Sequence, residues 1–496
     1  MTYPGSSADA IWRSLVFPSD YRNPTPADRY NLVVIGAGPA GLIIAIAAAG
    51  LGAKVALIEK HRMGGDCLNV GCVPSKTLLA AASAGLGFER AMARVREVRA
   101  AISHHDSVQR YTQAGVDVFL GAAEFVAADR VRVGDLTLAA RKFVVATGAR
   151  AFVPPVPGLA EHAQTNESIF ELREQPRRLA VLGGGPIGCE LAQAFARLGT
   201  QVHLIEMQTR LLPMEDEDAS RAVQRALAAD GVKLYLGTKV TAVSAVGTAK
   251  RLAYQDAAGD EKVNLEVDVV LAAVGRKRNV EGLGLDAAGV RFDPRSGIEV
   301  DAHLRTSQRH IFAAGDVCSK YQFTHMADAQ ARIVVRNALF FGRARVDELV
   351  VPWCTYTKPE VAHVGATRGE LAQSRAEYLP LRFEFADLDR GRTDARLDPA
   401  GKPQSDGYGD GYAELLVDRK SSRILGATIV GKDAGEQLAP IILAMNTHTG
   451  LKSLGALILP YPTRSEYLRR LVDAWNRTRL TPRTAGLLAW WLRRTR

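Results

Sequence analysis

NLVVIGAGPAG at residues 31–41 and RLAVLGGGPIG at residues 178–188 decide how this chain is read. Each sets an apolar run directly before a Gly-x-Gly-x-x-Gly turn: Gly36, Gly38 and Gly41 in the first copy, Gly183, Gly185 and Gly188 in the second. A helix-favouring run follows, then a second apolar stretch that ends in an acid, VALIE at 55–59 and VHLIE at 202–206. Glu59 follows Gly41 by 18 residues, and Glu206 follows Gly188 by the same 18. Strand, glycine turn, helix, strand and acid in this order form the dinucleotide-binding plan, and finding it twice is far more specific than one glycine motif. The first glycine of each turn permits the tight bend, the second lets main chain approach a pyrophosphate, and the third lets helix and strand pack closely. Free amides and the positive end of the helix dipole then face the phosphates. Glu59 and Glu206 can accept hydrogen bonds from a ribose 2′-hydroxyl. A carboxylate at 206 repels a 2′-phosphate, so the second unit is expected to prefer NAD to NADP.

Between the two units lies MGGDCLNVGCVPSK, residues 63–76, with Cys67 and Cys72 separated by four residues and a helix-favouring TLLAAASAG behind them. At a helix start, free amides and the dipole lower a thiol's pKa and make it a better nucleophile and leaving group. The pair is therefore expected to cycle between dithiol and disulfide.

A chain of 496 residues exceeds one ordinary core, so several domains are expected. Five cysteines in that length do not make a disulfide framework, and the N-terminal thirty residues lack a signal-peptide core. The most apolar run, residues 39–53, is short and glycine-punctuated, too short to cross about 30 Å of hydrocarbon. A cytoplasmic location is expected. The formal charge of +10 owes six arginines to the acid-free segment 476–496: Arg477, Arg479, Arg483, Arg493, Arg494 and Arg496. The rest is mildly basic and carries no zinc-ligand spacing or RNA-binding motif, so no nucleic acid partner and no metal site are expected. Leu487, Leu488, Trp490, Trp491 and Leu492 directly precede the final arginines. Such a segment packs on its parent protein or makes a peripheral membrane contact.

With these motifs in order, the chain resembles the class I pyridine nucleotide-disulfide oxidoreductases, the family of dihydrolipoamide dehydrogenase, glutathione reductase and mercuric reductase. The likeness runs from about residue 30 to 475. VVATGAR matches a second FAD contact through Thr147 and Gly148, and AAVGRKRN (272–279), with Gly275, matches the return to the FAD domain. IFAAGD (311–316) ends in Asp316, which the resemblance puts on the flavin's ribityl chain. FTHMADAQAR (323–332), with Thr324, implies a helix under the flavin, and VPWCTYTKPEVAHVG (351–365) opens a dimerisation domain. Ala123 and Val240 also fall at cofactor-binding positions. Lys76 and Glu190 match an ion pair beside the flavin. The resemblance makes Cys72 the flavin-proximal thiol and Cys67 the interchange thiol, with Tyr461 and Glu466 acting from the partner subunit of a homodimer.

The resemblance implies FAD and NAD(H) as cofactors and an α/β fold: two Rossmann-like dinucleotide-binding domains plus an α+β C-terminal dimerisation domain. The expected organisation is an N-terminal extension 1–30, an FAD-binding domain at 31–155 and 275–349, an NAD-binding domain at 156–274, a dimerisation domain at 350–475 and a basic Trp-rich tail at 476–496. The implied function is hydride transfer from NADH to FAD, then to the Cys67–Cys72 disulfide, then to a disulfide or thiol-bound acceptor. The alternatives are metal-ion or quinone reduction by the flavin or thiols and, outside enzymology, a redox-sensing flavoprotein recruited to a membrane or partner.

Several details depart from the pattern. GGDCLNVGC, GGGPIGCE and FTHMADAQAR are most similar to the mercuric-reductase-like branch, yet no cysteine follows Cys354 and no paired-cysteine N-terminal module is present. At YPTRSE (461–466) Tyr461 stands where glutathione and lipoamide enzymes carry a catalytic histidine, with Glu466 retained. A tyrosine with an ordinary pKa near 10 is a poor proton shuttle at neutral pH, and losing such a base costs about 10²–10⁴ in rate. Fast lipoamide or glutathione turnover is therefore not expected. Mercuric reductases also carry tyrosine here. Pro186 replaces an aromatic residue that covers the flavin in many relatives, which implies a more open nicotinamide pocket and NADH oxidase side activity. Cys189, Cys318 and Cys354 read as buried small hydrophobes. His104 and His105 read as solvent-facing on a long polar helix, and His325 as a flavin-side residue that does not titrate. His363 and His448 read as weak candidates for the missing base. The stretch 387–412 reads as a glycine-rich excursion.

Overall fold

The computed structural model describes residues 7–394 and 411–496, in two compact units, Met1–Met207 with Gly231–Leu349 and Gln208–Asp230 with Val350–Arg496. In the first unit the apolar run before the first glycine turn becomes the strand Tyr30–Ile35, hydrogen-bonded in parallel to Val55–Glu59 on one side and Leu136–Val145 on the other. Its side chains alternate between two cores: Leu32 and Val34 pack into one, Tyr30, Val33 and Ile35 into the other. A strand buried on both faces needs such an unbroken apolar run, and each buried Val, Leu or Ile contributes about 1.5–3 kcal/mol. Val116–Leu120 and Ile311–Ala313 extend the parallel part, and Ala123–Ala127 and Arg130–Val133 continue antiparallel from Leu136–Val145.

The helices that concern the site are α1 (Ser7–Val16), α2 (Pro39–Gly50), α3 (Gly65–Asn69), α4 (Cys72–Ser83) and α5 (Phe88–Ser103). The second glycine unit repeats the first. Its parallel sheet runs in the order Lys233–Leu236, Gln201–Glu206, Arg178–Leu182, Val269–Ala272, Ala163–Gln164, and the helix Pro186–Arg197 follows the turn. Three antiparallel strands, Lys239–Val246, Ala249–Gln255 and Glu261–Val267, lie between Lys233–Leu236 and Val269–Ala272 in sequence.

The second unit is built on a five-stranded antiparallel sheet in the order Pro352–Thr355, Glu360–Gly365, Ile424–Gly431, Tyr412–Asp418, Tyr378–Glu384. Helix Tyr467–Arg479 closes its core with Tyr467, Leu468, Leu471, Val472 and Trp475. Segment Gln208–Asp230 joins this unit through Glu215, whose Oε1 accepts the Trp353 indole N–H at 2.6 Å, and through Asp218, 2.7 Å from Arg382. Burial pushes the Glu215 carboxyl up to about 7 against that hydrogen bond. The excursion expected at 387–412 falls mostly on residues 395–410, outside the described residues.

The glycine turns explain the strictness of their motif. Gly36 and Gly183 have φ of +104° and +108°, where a side chain is strained. A Cβ at Gly41 would stand 1.8 Å from the Gly36 carbonyl oxygen, and one at Gly188 would stand 1.9 Å from that of Gly183. Both neighbours are main chain and cannot swing aside. Gly41→Ala is therefore expected to destabilise the chain by about 1–3 kcal/mol or more. Gly50→Ala, which meets nothing within 4 Å at the end of α2, should be neutral or stabilising by up to about 1 kcal/mol. Thermal melting of the two variants checks the contrast.

Candidate active site

The loop that carries the cysteines is pressed onto the first glycine turn by main chain. The Gly64 N–H donates to the Ala37 carbonyl at 2.9 Å. Gly65, at φ +55°, comes so near Gly38 that a Cβ would lie 2.6 Å from its Cα. Cys67 sits in α3, and Cys72 is the first residue of α4 behind Gly71. Both thiols are free, Cys67 half-buried and Cys72 exposed. Cys72 Sγ lies 3.4 Å from Thr324 Oγ1, at the start of the helix Thr324–Leu339. One turn into α4, Lys76 Nζ meets Glu190 Oε2 of the helix Pro186–Arg197 at 2.7 Å, with Glu190 only 3% exposed.

The two thiols are driven apart in acidity. A hydrogen bond from Cys67, aided by Thr324 and the Lys76 charge, lowers Cys72 to about 6 against partial desolvation of its sulfur by the surrounding chain and the charge of Glu190. The same bond, followed by burial, raises Cys67 well above the ordinary thiol range. The surroundings favour the thiolate on Cys72 and the proton on Cys67.

Arg276, in the AAVGRKRN stretch, joins the loop to the other end of the site. Its guanidinium donates to Asp66, the residue before Cys67, and its Nε lies 3.5 Å from Asp316 Oδ2. Asp316 follows Gly315, and burial raises its carboxyl. Thr147 Oγ1 donates to the Asn279 carbonyl at 2.7 Å, while the Asn279 amide returns a bond to the Thr147 carbonyl at 2.9 Å. Gly148, at φ +67°, receives the Asn279 N–H on its carbonyl at 3.0 Å. These residues converge from separate parts of the chain. Ala123 is buried in an edge strand, Val240 is buried in Lys239–Val246, and Gly275, at φ +125°, is exposed one residue before Arg276.

The glycine turns fit the dinucleotides that the resemblance implies. Gly38 and Gly185 have ordinary negative φ, and a Cβ there would meet only Gly65 at 3.9 Å or nothing. No neighbouring atom requires glycine at these two places, and the bare main chain leaves room for an approaching group. No side chain caps either following helix, so the first amides are offered outward. Glu59 accepts the Ala37 N–H at 2.8 Å and the His61 N–H at 2.7 Å, and Glu206 accepts the Gly184 N–H at 2.6 Å. Each acid thus also holds its own glycine turn, a role the sequence reading did not assign.

In the second unit, Tyr461 is exposed and donates to Asp389 Oδ2 at 3.0 Å, which raises the phenol's pKa further. Glu466 bonds Arg470 at 2.8 Å, and its Oε2 is buried without a hydrogen-bond partner. Tyr461 is held by Asp389, not by Glu466. His363 is 1% exposed, bonded to Thr428 and the Gly365 carbonyl, and lowered to about 4 by burial, which makes it part of the sheet core. His448 is exposed on a turn. Two sequence expectations need correction: Cys318 and Cys354 are half-buried, held in loop and edge-strand positions, and only Cys189 is fully buried. His104 and His105 are exposed as expected, but in a 3₁₀ turn after α5. His325 stacks on Phe323 at 5.2 Å.

Sequence reasoning passed over Asp66, Arg276 and Asn279 as individuals. An arginine and an acid on separate glycine-bounded segments were the available signal. With the protein reduced, the thiolate absorbance should titrate with a midpoint near 6, most of the thiolate being present above that pH and lost below it. Thr324→Val removes one donor to the thiolate and should raise the midpoint by about one unit.

The sequence profile described as pyridine nucleotide-disulphide oxidoreductase matches residues 30–331, and that of the family's dimerisation domain matches residues 351–472, which supports homodimer formation. The chain is 32% identical over 462 residues to a mercuric reductase of Staphylococcus aureus, covering 89% of this chain and 81% of the relative. It is likewise 32% identical over 466 residues to a dihydrolipoyl dehydrogenase of Thermus scotoductus, covering 90% and 98%. Among solved structures, the Cu(II) complex of the HOCl-induced flavoprotein disulfide reductase RclA from Escherichia coli superposes with a TM-score of 0.81 at 30% identity, covering 90% of this chain and 100% of that one. LpdA from Mycobacterium tuberculosis, at 24% identity and a TM-score of 0.81, shares the fold. Two glycine turns of one design, a cysteine pair between them and a matched dimerisation domain lead to one conclusion: the chain belongs to the pyridine nucleotide-disulphide oxidoreductases and is an FAD-dependent enzyme of that family.

Proposed function

We propose that the enzyme uses NADH, in preference to NADPH, to reduce a disulfide or thiol-bound acceptor through Cys67 and Cys72. The observation that carries this reading is the placement of two free thiols, Cys67 in α3 and Cys72 at the start of α4, beside the Thr324 hydroxyl and the Lys76–Glu190 pair. FAD, when bound, supplies the two-electron link between nicotinamide and thiols. Gly36, Gly38, Gly41, Glu59, Ala123, Thr147, Gly148, Gly275, Asp316 and Thr324 would hold it. Gly183, Gly185, Gly188, Glu206 and Val240 would hold the nicotinamide nucleotide. Lys76, paired with Glu190, fixes a positive charge close to Cys72.

For the acceptor step, Cys67 must lose its proton to attack a disulfide sulfur. Tyr461, its phenol raised further by Asp389, is unsuited to take that proton. The Cys72 thiolate can take it along their hydrogen bond in the minor fraction of molecules that oppose the acidity split. Cys67 sulfur then bonds to one acceptor sulfur and the other leaves as thiolate. Cys72 gives the proton to that departing thiolate and attacks the Cys67 sulfur, the Cys67–Cys72 disulfide re-forms, and the second acceptor sulfur leaves as thiolate. The partner subunit's Tyr461 and Glu466 would shape the approach to Cys67. Glutathione and lipoamide are not the favoured acceptors.

A second reading, reduction of a thiol-bound soft metal ion, draws on Tyr461 together with the 32% identity to a mercuric reductase. The structural relative described as a Cu(II) complex points the same way. We also infer a peripheral, membrane-facing position on the cytoplasmic side. Among the described residues no helix is long and apolar enough to cross a membrane. On the terminal helix Pro482–Arg494, however, Leu487, Leu488, Trp491 and Leu492 share one exposed face, while Arg494 stacks on Trp490 at 4.4 Å. That pairing of an apolar face with arginines suits an anionic lipid surface.

Anaerobic titration should consume two equivalents of NADH per flavin with a long-wavelength thiolate band, and NADPH should titrate far less readily. Bleaching at one equivalent without the band would remove the cysteines from the electron path. Cys67→Ser should lower disulfide turnover by several orders of magnitude and spare quinone or oxygen reduction. Sedimentation with phosphatidylserine vesicles, but not phosphatidylcholine vesicles, should be lost on truncation at Asn476, with turnover unchanged.

A further inference from the structure

Helix α1 lies outside both matched spans, 30–331 and 351–472, yet it is fastened to the loop between the redox cysteines. The Trp12 indole N–H donates to Asn69 Oδ1 at 2.7 Å, and both residues are buried. The Asn69 amide in turn donates to the Met63 carbonyl at 3.0 Å and the Gly65 carbonyl at 2.8 Å, spanning the bend that leads into Cys67. The main-chain carbonyl of Asn69 accepts Arg99 Nη1 at 3.2 Å. Arg99 is fully buried, with its guanidinium 3.7 Å from the Trp12 ring, and it pairs with Asp9 of α1 at 3.2 Å and Glu171 at 2.7 Å. The Met63 N–H donates to the Val16 carbonyl at the end of α1 at 3.0 Å. The helix therefore grips the loop at Met63, before Cys67, and at Asn69, between Cys67 and Cys72.

The chemistry of a buried amide makes this grip directional. Turning Asn69 over would set its NH₂ against the Trp12 N–H and leave the Met63 and Gly65 carbonyls unpaired, at a cost of about 1–3 kcal/mol for each unsatisfied group. Asn69 is thus locked in one orientation, two residues from Cys67 and three from Cys72. Fixing the bend fixes the direction in which the Cys67 thiol points.

We propose that α1 is a positioning element for the redox pair, acting through the Trp12–Asn69 hydrogen bond to hold Cys67 where its S–H reaches the Cys72 thiolate. This rests on the redox role proposed above for the pair. Trp12 touches neither sulfur in this scheme and acts only through Asn69.

The test uses the full-length holoenzyme, reduced, with iodoacetamide alkylation followed against pH. Trp12→Phe keeps the ring over Arg99 and removes only the donor. The alkylation midpoint should shift upward by about one unit and the rate at the wild-type midpoint should fall about fivefold, while the melting temperature stays within a few degrees. Asn69→Ala should do the same, and the double variant should be no worse than the worse single one, because both remove one coupling. A wild-type midpoint for Trp12→Phe, or additive effects in the double variant, would overturn the positioning role. An ordinary thiol midpoint in the unmodified enzyme would instead overturn the redox reading beneath it. In the wild type, amide exchange across residues 66–72 should be as slow as in the strand Tyr30–Ile35, and exchange at open-loop rates would defeat the proposal without recourse to any variant.

Discussion

Main chain touching main chain is the constraint on which the rest of this structure depends. Gly41 seats α2 against the Gly36 carbonyl, and Gly65 seats the cysteine loop against Gly38. The first contact aims the open end of α2 at the space where a dinucleotide's phosphates would come, and the second ties the thiols to that same turn. No side chain intervenes at either place, so neither distance can be adjusted by choosing another rotamer. The Gly64 N–H to the Ala37 carbonyl ties the cysteine loop to the nucleotide turn, and α1 grips the same loop at Met63 and Asn69.

Electrostatics then divides the labour between two chemically identical groups. Cys72 opens a helix, faces Thr324 and feels Lys76. Cys67 is left with the proton and with burial. Glu190 opposes the effect of Lys76 on Cys72, but it is itself the buried member of the pair, where an unpartnered carboxylate would be costly, and Lys76 supplies the partner. Arg276 does similar work on the other side by bridging Asp66 and Asp316, two carboxylates that would repel each other without it.

What could be read from the sequence was what is local. The glycine turns, their strands, the cysteines at a helix start and the terminal acids all lie within runs of about thirty residues, where spacing alone carries geometry. The pairing of Lys76 with Glu190 came only from resemblance, since 114 residues separate them. Trp12, Asn69 and Arg99 could not be read at all. A tryptophan in a leading segment and an arginine on an amphipathic helix become partners only when the chain closes over the loop. Tyr461 was legible as a departure, but its anchor, Asp389, lies 72 residues earlier in a charged stretch with no pattern to mark it. His363 could be weighed as a base from its residue type, yet burial between Thr428 and the Gly365 carbonyl disqualifies it.

The acid at the end of each second strand has a consequence for how such a protein can change. In the function proposed above Glu206 would choose between two nucleotides, and in the fold it accepts the Gly184 amide. That proposal places selectivity and the integrity of the turn on one carboxylate. A lineage drifting toward a phosphorylated nucleotide could not simply exchange that acid for a cation. It would first have to find another acceptor for the amide, so the route between the two preferences passes through a compensating change that never touches the ligand.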